Sequence, residues 1–153
     1  MPVTPEPQHP PVRPDDWRLG VWRSFLRSHA TVTAQLEAEL ADRGLPLSWY
    51  DVLLQLVEAP RRRLRMAELA DRVLLSRSGL TRLVDRLQAE GYVTRERSPD
   101  DARGTYTVLT RSGFEALRAA APVHLAGVRD HFLRLYTDDE LRVLADLLGR
   151  IDD

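Results

Sequence analysis

The sequence predicts a mainly α-helical fold with a small β-sheet of two or three short strands. Over most of the chain, apolar residues recur at steps of three and four, which is typical of helices that bury one face. Between residues 92 and 109 the period changes to two, which indicates strands. The chain has 153 residues, of which 43% are hydrophobic and none is cysteine, so we expect one globular domain without disulfides.

The first part of the chain predicts a tail followed by two helices. Residues 1–14 contain six of the ten prolines and few large apolar side chains, so they are expected to be a disordered tail. A long first helix is predicted from Asp15 to Gly44, since glycine commonly ends helices. Ser48 and Asp51 resemble a capping box, which predicts that a second helix begins there.

The middle of the chain predicts two short helices and a hairpin. Residues 66–74 have the apolar spacing of a short third helix. Ser76 is a typical N-cap for a fourth helix that runs to Gly91 and buries leucine and valine at helical spacing. Strands are predicted at 92–97 and 105–109, joined by a segment with the composition of a turn. Two short helices followed by a hairpin are the element order of a winged helix-turn-helix lobe, in which the hairpin is called the wing.

The last part predicts two helices that extend beyond this lobe. Thr110 caps a fifth helix with an apolar seam that reaches Leu135, and residues 137–140 form a capping box for a sixth. The seams of the first and fifth helices are too long for one small lobe to cover, so a second chain is expected to cover part of them. We therefore predict a single domain at 15–153, with the lobe at 46–110 and a helical dimerisation region formed by 15–45 and 111–153.

Positive charge is concentrated in the middle of the chain. Residues 1–60 and 112–153 each hold five arginines and eight acidic residues, whereas residues 61–111 hold twelve arginines and seven acidic residues. The net charge of −1 therefore hides a central segment of +5. This distribution is expected if only the middle of the chain meets nucleic acid, although a solvated basic surface would give the same counts.

The exposed face of the fourth helix carries side chains that suit DNA. At 100° per residue, the direction opposite the buried stripe is occupied by Ser78, Thr81, Arg82, Asp85 and Arg86. In a winged helix-turn-helix, the recognition helix lies in the major groove and contacts bases with its N-terminal part; we call it the reading helix. The predicted DNA-binding residues of this helix are Ser76, Arg77, Ser78, Thr81, Arg82 and Arg86. The alternative is an ordinary exposed helix face. Asp85 would repel phosphate unless it pairs with Arg82 or Arg86 or accepts from cytosine.

The turn between the predicted strands holds a second candidate contact. Asp101 and Arg103 are two residues apart, a spacing that lets the carboxylate hold the guanidinium extended toward a narrow minor groove. An ordinary ion pair within a turn would have the same spacing. The spacing alone does not choose between them.

Five segments carry a resemblance to a known family. They are Met66–Ala70, Leu75–Leu87, Glu90–Val93, Ser98–Arg103 and Leu109–Gly113. Together they closely resemble the MarR family of bacterial regulators, over residues 16–151. The resemblance implies a triangular homodimer that binds a pseudo-palindromic operator, usually as a repressor released by a small, often aromatic, ligand. It also implies that Arg103 is the wing-tip arginine and Asp101 its orienting partner, although Ala102 stands where a basic residue is common.

Three histidines fall on the predicted seams: His29, His124 and His131. Hydrogen-bonded roles in the core or at an interface are favoured. A ligand-contacting role with an aromatic wall is a second interpretation, and its candidate pocket consists of Trp22, His29, Trp49 and Tyr50. Zinc is disfavoured, because His124 and His131 are seven residues apart and no cysteine is present. No metal site and no cofactor are predicted.

Other functional classes fit the sequence less well. The chain has no lysine, so it has no phosphate-binding loop, and it shows no dinucleotide fingerprint or nucleophile elbow. We therefore predict that it is not an enzyme. No apolar run approaches the length of a membrane span, and a cytoplasmic protein is expected. The expected partners are double-stranded DNA, a second copy of the chain and a small-molecule effector. A winged-helix protein-interaction module and a metal-responsive regulator remain as alternatives.

Overall fold

The computed structural model describes residues 10–73, 77–100 and 104–152. Within these ranges the chain forms six α-helices and one three-stranded antiparallel sheet, which confirms the predicted fold class. The helices are α1 (Arg18–Ala41), α2 (Leu47–Glu58), α3 (Met66–Val73), α4 (Arg77–Ala89), α5 (Arg111–His131) and α6 (Asp138–Gly149). The strands are β1 (Arg63–Arg65), β2 (Val93–Arg97) and β3 (Thr105–Leu109).

The hydrophobic core lies between α2, α3, α4, the sheet and the first half of α5. Leucines from several elements are fully buried there, and each contributes roughly 1.5–3 kcal/mol through removal of its side chain from water. Leu40, near the end of α1, and Leu117, in α5, belong to the same core. The long helices are therefore packed onto the lobe at one end, which fixes the lobe relative to them.

The sheet has the order β1-β3-β2, with β3 in the centre. The two predicted strands form the antiparallel hairpin, in which Val93 pairs with Leu109 and Arg97 with Thr105. The third strand, β1, was not predicted from the sequence. A strand of three residues is too short for an alternating pattern to be recognised, and only its pairing with β3 defines it.

The helix caps show which local signals were reliable. The Thr110 side chain accepts from the backbone N–H of Gly113, and Thr137 and Glu140 form the predicted capping box. The predicted start of the second helix at Ser48 was wrong. The helix begins at Leu47 because the carbonyl of Pro46 accepts the first backbone hydrogen bonds, and no side chain caps it.

The fifth helix is shorter than predicted. Its seam was expected to continue to Leu135, but α5 ends at His131. The backbone of Phe132 leaves the helical region, with φ −132° and ψ −66°, and a 3₁₀ turn follows at Leu133–Leu135. Pro122 lies inside α5, which continues past it.

Helices α1 and α5 cross closely at Gly127. A Cβ atom at this position would overlap the Glu39 carboxylate and would lie 2.7 Å from Cδ2 of Leu36. One helical turn further along, Nε2 of His131 lies 2.6 Å from Oε1 of Glu39. The absence of a side chain at Gly127 therefore permits the crossing, and the Glu39–His131 contact adds a polar link beside it.

Candidate nucleic-acid interface

Helix α4 has one buried and one exposed face, as the sequence predicted. Its buried stripe consists of Leu80, Leu83, Val84 and Leu87. The opposite face exposes Ser78, Thr81, Arg82, Asp85 and Arg86. Because the apolar stripe is anchored in the core, the rotation of the helix about its axis is fixed, and so is the set of side chains that it presents to solvent.

Two arginines on this face have guanidinium groups that project into solvent. Arg82 and Arg86 are exposed, and neither forms an ion pair or a side-chain hydrogen bond within residues 10–73, 77–100 and 104–152. A guanidinium presents five N–H donors in a planar fork, which matches phosphate oxygens and the acceptor edge of guanine. The exposed face of α4 therefore offers donors to an external acceptor.

Asp85 lies on the same face, but its ion-pair partner is not one of the two arginines that helical spacing suggested. It pairs with neither Arg82 nor Arg86. Its Oδ1 atom lies 2.6 Å from NH2 of Arg95, a residue of β2. The sequence analysis missed Arg95, because the contact joins residues ten positions apart in two different elements.

The outer end of the hairpin contacts the last residue of β1, which directly precedes α3. The Arg65 guanidinium lies 3.4 Å from the hydroxyl oxygen of Ser98 and within 5.4 Å of the Tyr106 ring centroid. The backbone N–H of Ser98 donates to the carbonyl of Gly104 at 2.8 Å. These contacts place the outer end of the hairpin on the same side of the lobe as the start of α3.

Several predicted interface residues fall outside the described part of the chain. These are Ser76, Asp101 and Arg103, and the side chain of Arg77. The described part contains Ser78, Thr81, Arg82 and Arg86, all on α4.

Comparison with known proteins decides the family. A model of the MarR family matches residues 43–104, which run from before α2 into the hairpin. The crystal structure of AbsC, a MarR family transcriptional regulator from Streptomyces coelicolor, superposes with a TM-score of 0.86 and 34% identity, covering 93% of this chain and 96% of AbsC. The chain belongs to the MarR family.

Two further relatives agree with this assignment. Sco3205, a MarR family regulator from Streptomyces coelicolor whose structure was determined in complex with DNA, is 36% identical, with a TM-score of 0.85 over 95% of this chain and 91% of Sco3205. The transcriptional repressor YetL from Bacillus subtilis is 30% identical over 88% of this chain and 80% of YetL. As a MarR family member, the chain is a transcriptional regulator and not an enzyme, as the sequence predicted.

The described part of this MarR family regulator shows no candidate for a membrane-spanning helix and no candidate cluster of metal-binding side chains. In the described ranges, no helix combines the length and the apolar character that crossing a bilayer requires. The same ranges contain no cluster of three histidine or acidic side chains suited to a metal ion.

The residues of the predicted ligand pocket lie in different surroundings. Trp22 and His29 are exposed on α1, where Trp22 stacks on Phe25 at 5.9 Å. On α2, Trp49 is half-buried against Tyr92 and Tyr50 is buried. Trp49 and Tyr50 therefore have aromatic neighbours within the chain, whereas Trp22 and His29 face outward.

His124 contacts the buried Tyr50. The two ring centroids are 4.3 Å apart, and Nδ1 of His124 is buried without a hydrogen-bond partner in the described part of the chain. Burial lowers the pKa of His124, because it disfavours the imidazolium more than the nearby Asp51 carboxylate favours it. His124 is therefore held as a neutral imidazole between α2 and α5.

This environment predicts a pH-dependent stability. In the unfolded chain, a histidine has a pKa of about 6.5. Below that pH, His124 binds a proton more readily in the unfolded chain than in the folded chain. The free energy of unfolding therefore decreases as the pH falls through that value. Between pH 7.5 and 5.5, we expect the Tm of His124→Phe to fall less than that of wild type. His29→Phe, which removes an exposed histidine, should keep the full decrease. Equal decreases in wild type and His124→Phe would contradict the assignment.

Proposed function

We propose that this MarR family regulator acts as a homodimer, represses transcription at a pseudo-palindromic operator and is released by a small aromatic ligand. The observation that carries the DNA contact is a pair of exposed guanidinium groups on α4, those of Arg82 and Arg86, which have no ion-pair partner among the described residues. The structure of Sco3205 in complex with DNA supports duplex binding, and the repressor YetL supports the direction of regulation.

The proposed reading surface consists of Ser76, Arg77, Ser78, Thr81, Arg82 and Arg86, with Asp101 and Arg103 at the wing. In this proposal α4 enters the major groove, where Arg82 donates to base acceptors and Arg86 to phosphate. The guanidinium of Arg103 enters the adjacent minor groove, where it reads negative potential and width more than base identity. The two arginines therefore have separable functions.

The dimer is supported by apolar surface that the chain does not cover. None of the side chains of α6 is buried within its own chain. Its exposed apolar residues are Val143, Leu147 and Leu148, and Ile151 follows just after the helix. Trp17, just before α1, and four residues in its first half are also exposed: Val21, Trp22, Phe25 and Leu26. So many large apolar side chains are rarely left in water, and a second copy bearing the same surface would cover them reciprocally.

The ligand response is proposed for the surroundings of α2, with Trp49 and Tyr50 as an aromatic wall and with Trp22 and His29 as further contacts. Its support is the contact between the rings of Tyr50 and His124, together with the buried Nδ1 of His124, for which the described residues offer no hydrogen-bond partner. A thermal-shift screen with simple phenols and hydroxybenzoates tests it, because a ligand that binds the folded dimer raises the Tm. A compound that raises the Tm must also release operator DNA, and a screen in which no compound does both would contradict the proposal.

Two arginine variants test the DNA contact. Selection from a random duplex pool provides the preferred operator. Against it, Arg82→Ala should lose roughly 1–3 kcal/mol of preference at one base position, whereas Arg103→Ala should weaken binding to all sequences evenly. Measurement is by fluorescence anisotropy with the selected duplex and single-base variants.

A matched control is Arg118→Ala, which removes an exposed arginine of α5 that does not belong to the proposed reading surface. It should leave both affinity and base preference unchanged. If Arg82→Ala and Arg103→Ala produce the same sequence-independent loss, Arg82 does not read bases, and the proposed role of α4 is wrong.

A further inference from the structure

Arg95 joins the wing strand β2 to the helix α4. Its NH2 atom lies 2.6 Å from Oδ1 of Asp85 and 3.3 Å from the carbonyl oxygen of Thr81. Its NH1 atom lies 2.6 Å from Oε1 of Gln88. We call this set of contacts the Arg95 bridge. One guanidinium therefore contacts three residues of α4, which lie over two helical turns.

The geometry distinguishes Arg95 from the arginines proposed to contact DNA. Only 26% of its side chain is exposed, and its terminal nitrogens already donate to groups of its own chain. Arg82 and Arg86, in contrast, are exposed and unpaired in the described residues. Arg95 is thus oriented toward the protein, although it lies beside the proposed reading helix.

The position of the bridge links two surfaces that DNA must engage together. β2 leads to the wing tip, and Asp85 and Thr81 lie on the face of α4 that we propose for the major groove. The backbone connection between the two elements is the short turn at residues 90–92. Beyond that turn, the buried faces of β2 and α4 meet in the core, and the Arg95 bridge adds a polar contact between β2 and the exposed face of α4.

We propose that Arg95 is a positioning residue, which holds the reading helix and the wing at the relative placement that operator binding requires. The inference rests on the proposed DNA-binding function and deepens it. Asp85 then serves as the anchor of this bridge, which explains an acidic side chain on a surface that faces a polyanion. Loss of the bridge leaves the lobe folded, because the buried core of α4 and β2 remains and an ion pair with a largely exposed partner, here Asp85, contributes little to stability. It permits the wing to move relative to α4.

The test uses a variant for which electrostatics and positioning predict opposite results. Asp85→Asn removes a negative charge from the proposed interface, so charge alone predicts tighter binding to DNA. The Arg95 bridge predicts weaker binding, by about tenfold, since the anchor of the guanidinium is weakened. Glu90→Gln is the matched control, because Glu90 is an exposed acidic residue just after α4 and takes no part in the bridge. It should bind as tightly as wild type or more tightly.

Arg95→Gln supplies a second readout. A lost phosphate contact would reduce the slope of log affinity against log salt by about 0.9, whereas a lost positioning residue should leave the slope unchanged while affinity falls about tenfold. The double variant should lose no more than the larger single loss, because both changes break one bridge. The Tm of all three variants should remain close to that of wild type.

The outcomes separate this inference from the proposed function. If wild type shows no salt-dependent binding to any duplex, the proposed function is wrong and the bridge has no operator to serve. If wild type binds and Asp85→Asn binds equally well or more tightly, the DNA-binding function stands and the positioning role of Arg95 is overturned. If Arg95→Gln reduced the slope of log affinity against log salt, Arg95 would contact phosphate, and its positioning role would likewise be overturned.

Discussion

Replacing Leu147 with aspartate is expected to separate the dimer into monomers and to weaken operator binding by about a hundredfold or more. Leu147 lies on the apolar face of α6, and 47% of it is exposed in the single chain. A carboxylate buried at that position in a dimer would be desolvated without a partner, which opposes association. Because two linked half-site contacts bind far more tightly than one, the loss of the dimer removes most of the affinity.

Light scattering and fluorescence anisotropy measure the two effects on the same samples. Asp146→Ala is the matched control, since Asp146 is the neighbouring residue and its carboxylate forms a surface ion pair with Arg150 at 3.0 Å. It should remain dimeric and bind normally. A Leu147→Asp variant that stays dimeric and binds the operator as wild type does would show that α6 is not the dimer surface.

Replacing Gly113 with alanine is expected to lower the free energy of unfolding by about 3 kcal/mol or more. A Cβ atom there would overlap the carbonyl oxygen of Tyr92 and would lie 2.9 Å from Cδ1 of Leu109. Neither neighbour can move freely, because Leu109 is buried at the end of β3 and the Tyr92 carbonyl accepts from the backbone N–H of Thr110. Relief of the overlap would displace the start of α5 from the hairpin.

Chemical denaturation measures this difference, and Gly20→Ala provides the control. Gly20 lies in the first turn of α1, where an added Cβ would meet no described atom within 4 Å apart from the adjacent backbone of its own helix. This variant should gain roughly 0.5–1 kcal/mol, because alanine favours a helix over glycine. If Gly113→Ala were as stable as wild type, the close approach of α5 to the hairpin would be wrong.

The sequence predicted those features that depend on neighbouring residues. The buried stripe of α4 follows from apolar spacing, and the caps at Thr110 and Thr137 depend on residues three positions away. The strand at Thr105–Leu109 was predicted with its exact bounds, since its alternation and flanking turn are both local signals.

Features that depend on distant residues were not predictable in this way. The strand β1 exists only because it pairs with β3, more than forty positions along the chain. The partner of Asp85 is a residue of β2, whereas helical spacing directed attention to Arg82 and Arg86. The end of α5 was placed too late, because Leu135 continues the apolar seam although the backbone has already left the helix at Phe132.

The central claim is that two copies of this chain present α4 and the wing together to one DNA duplex. An anisotropy titration tests this claim most directly. It compares the selected pseudo-palindromic duplex with a scrambled duplex at about 50 and 200 mM salt. We expect two chains per duplex, a strong preference for the selected sequence and an affinity that falls about a thousandfold between the two salt concentrations. A monomer that binds neither duplex at the lower salt concentration would contradict the account.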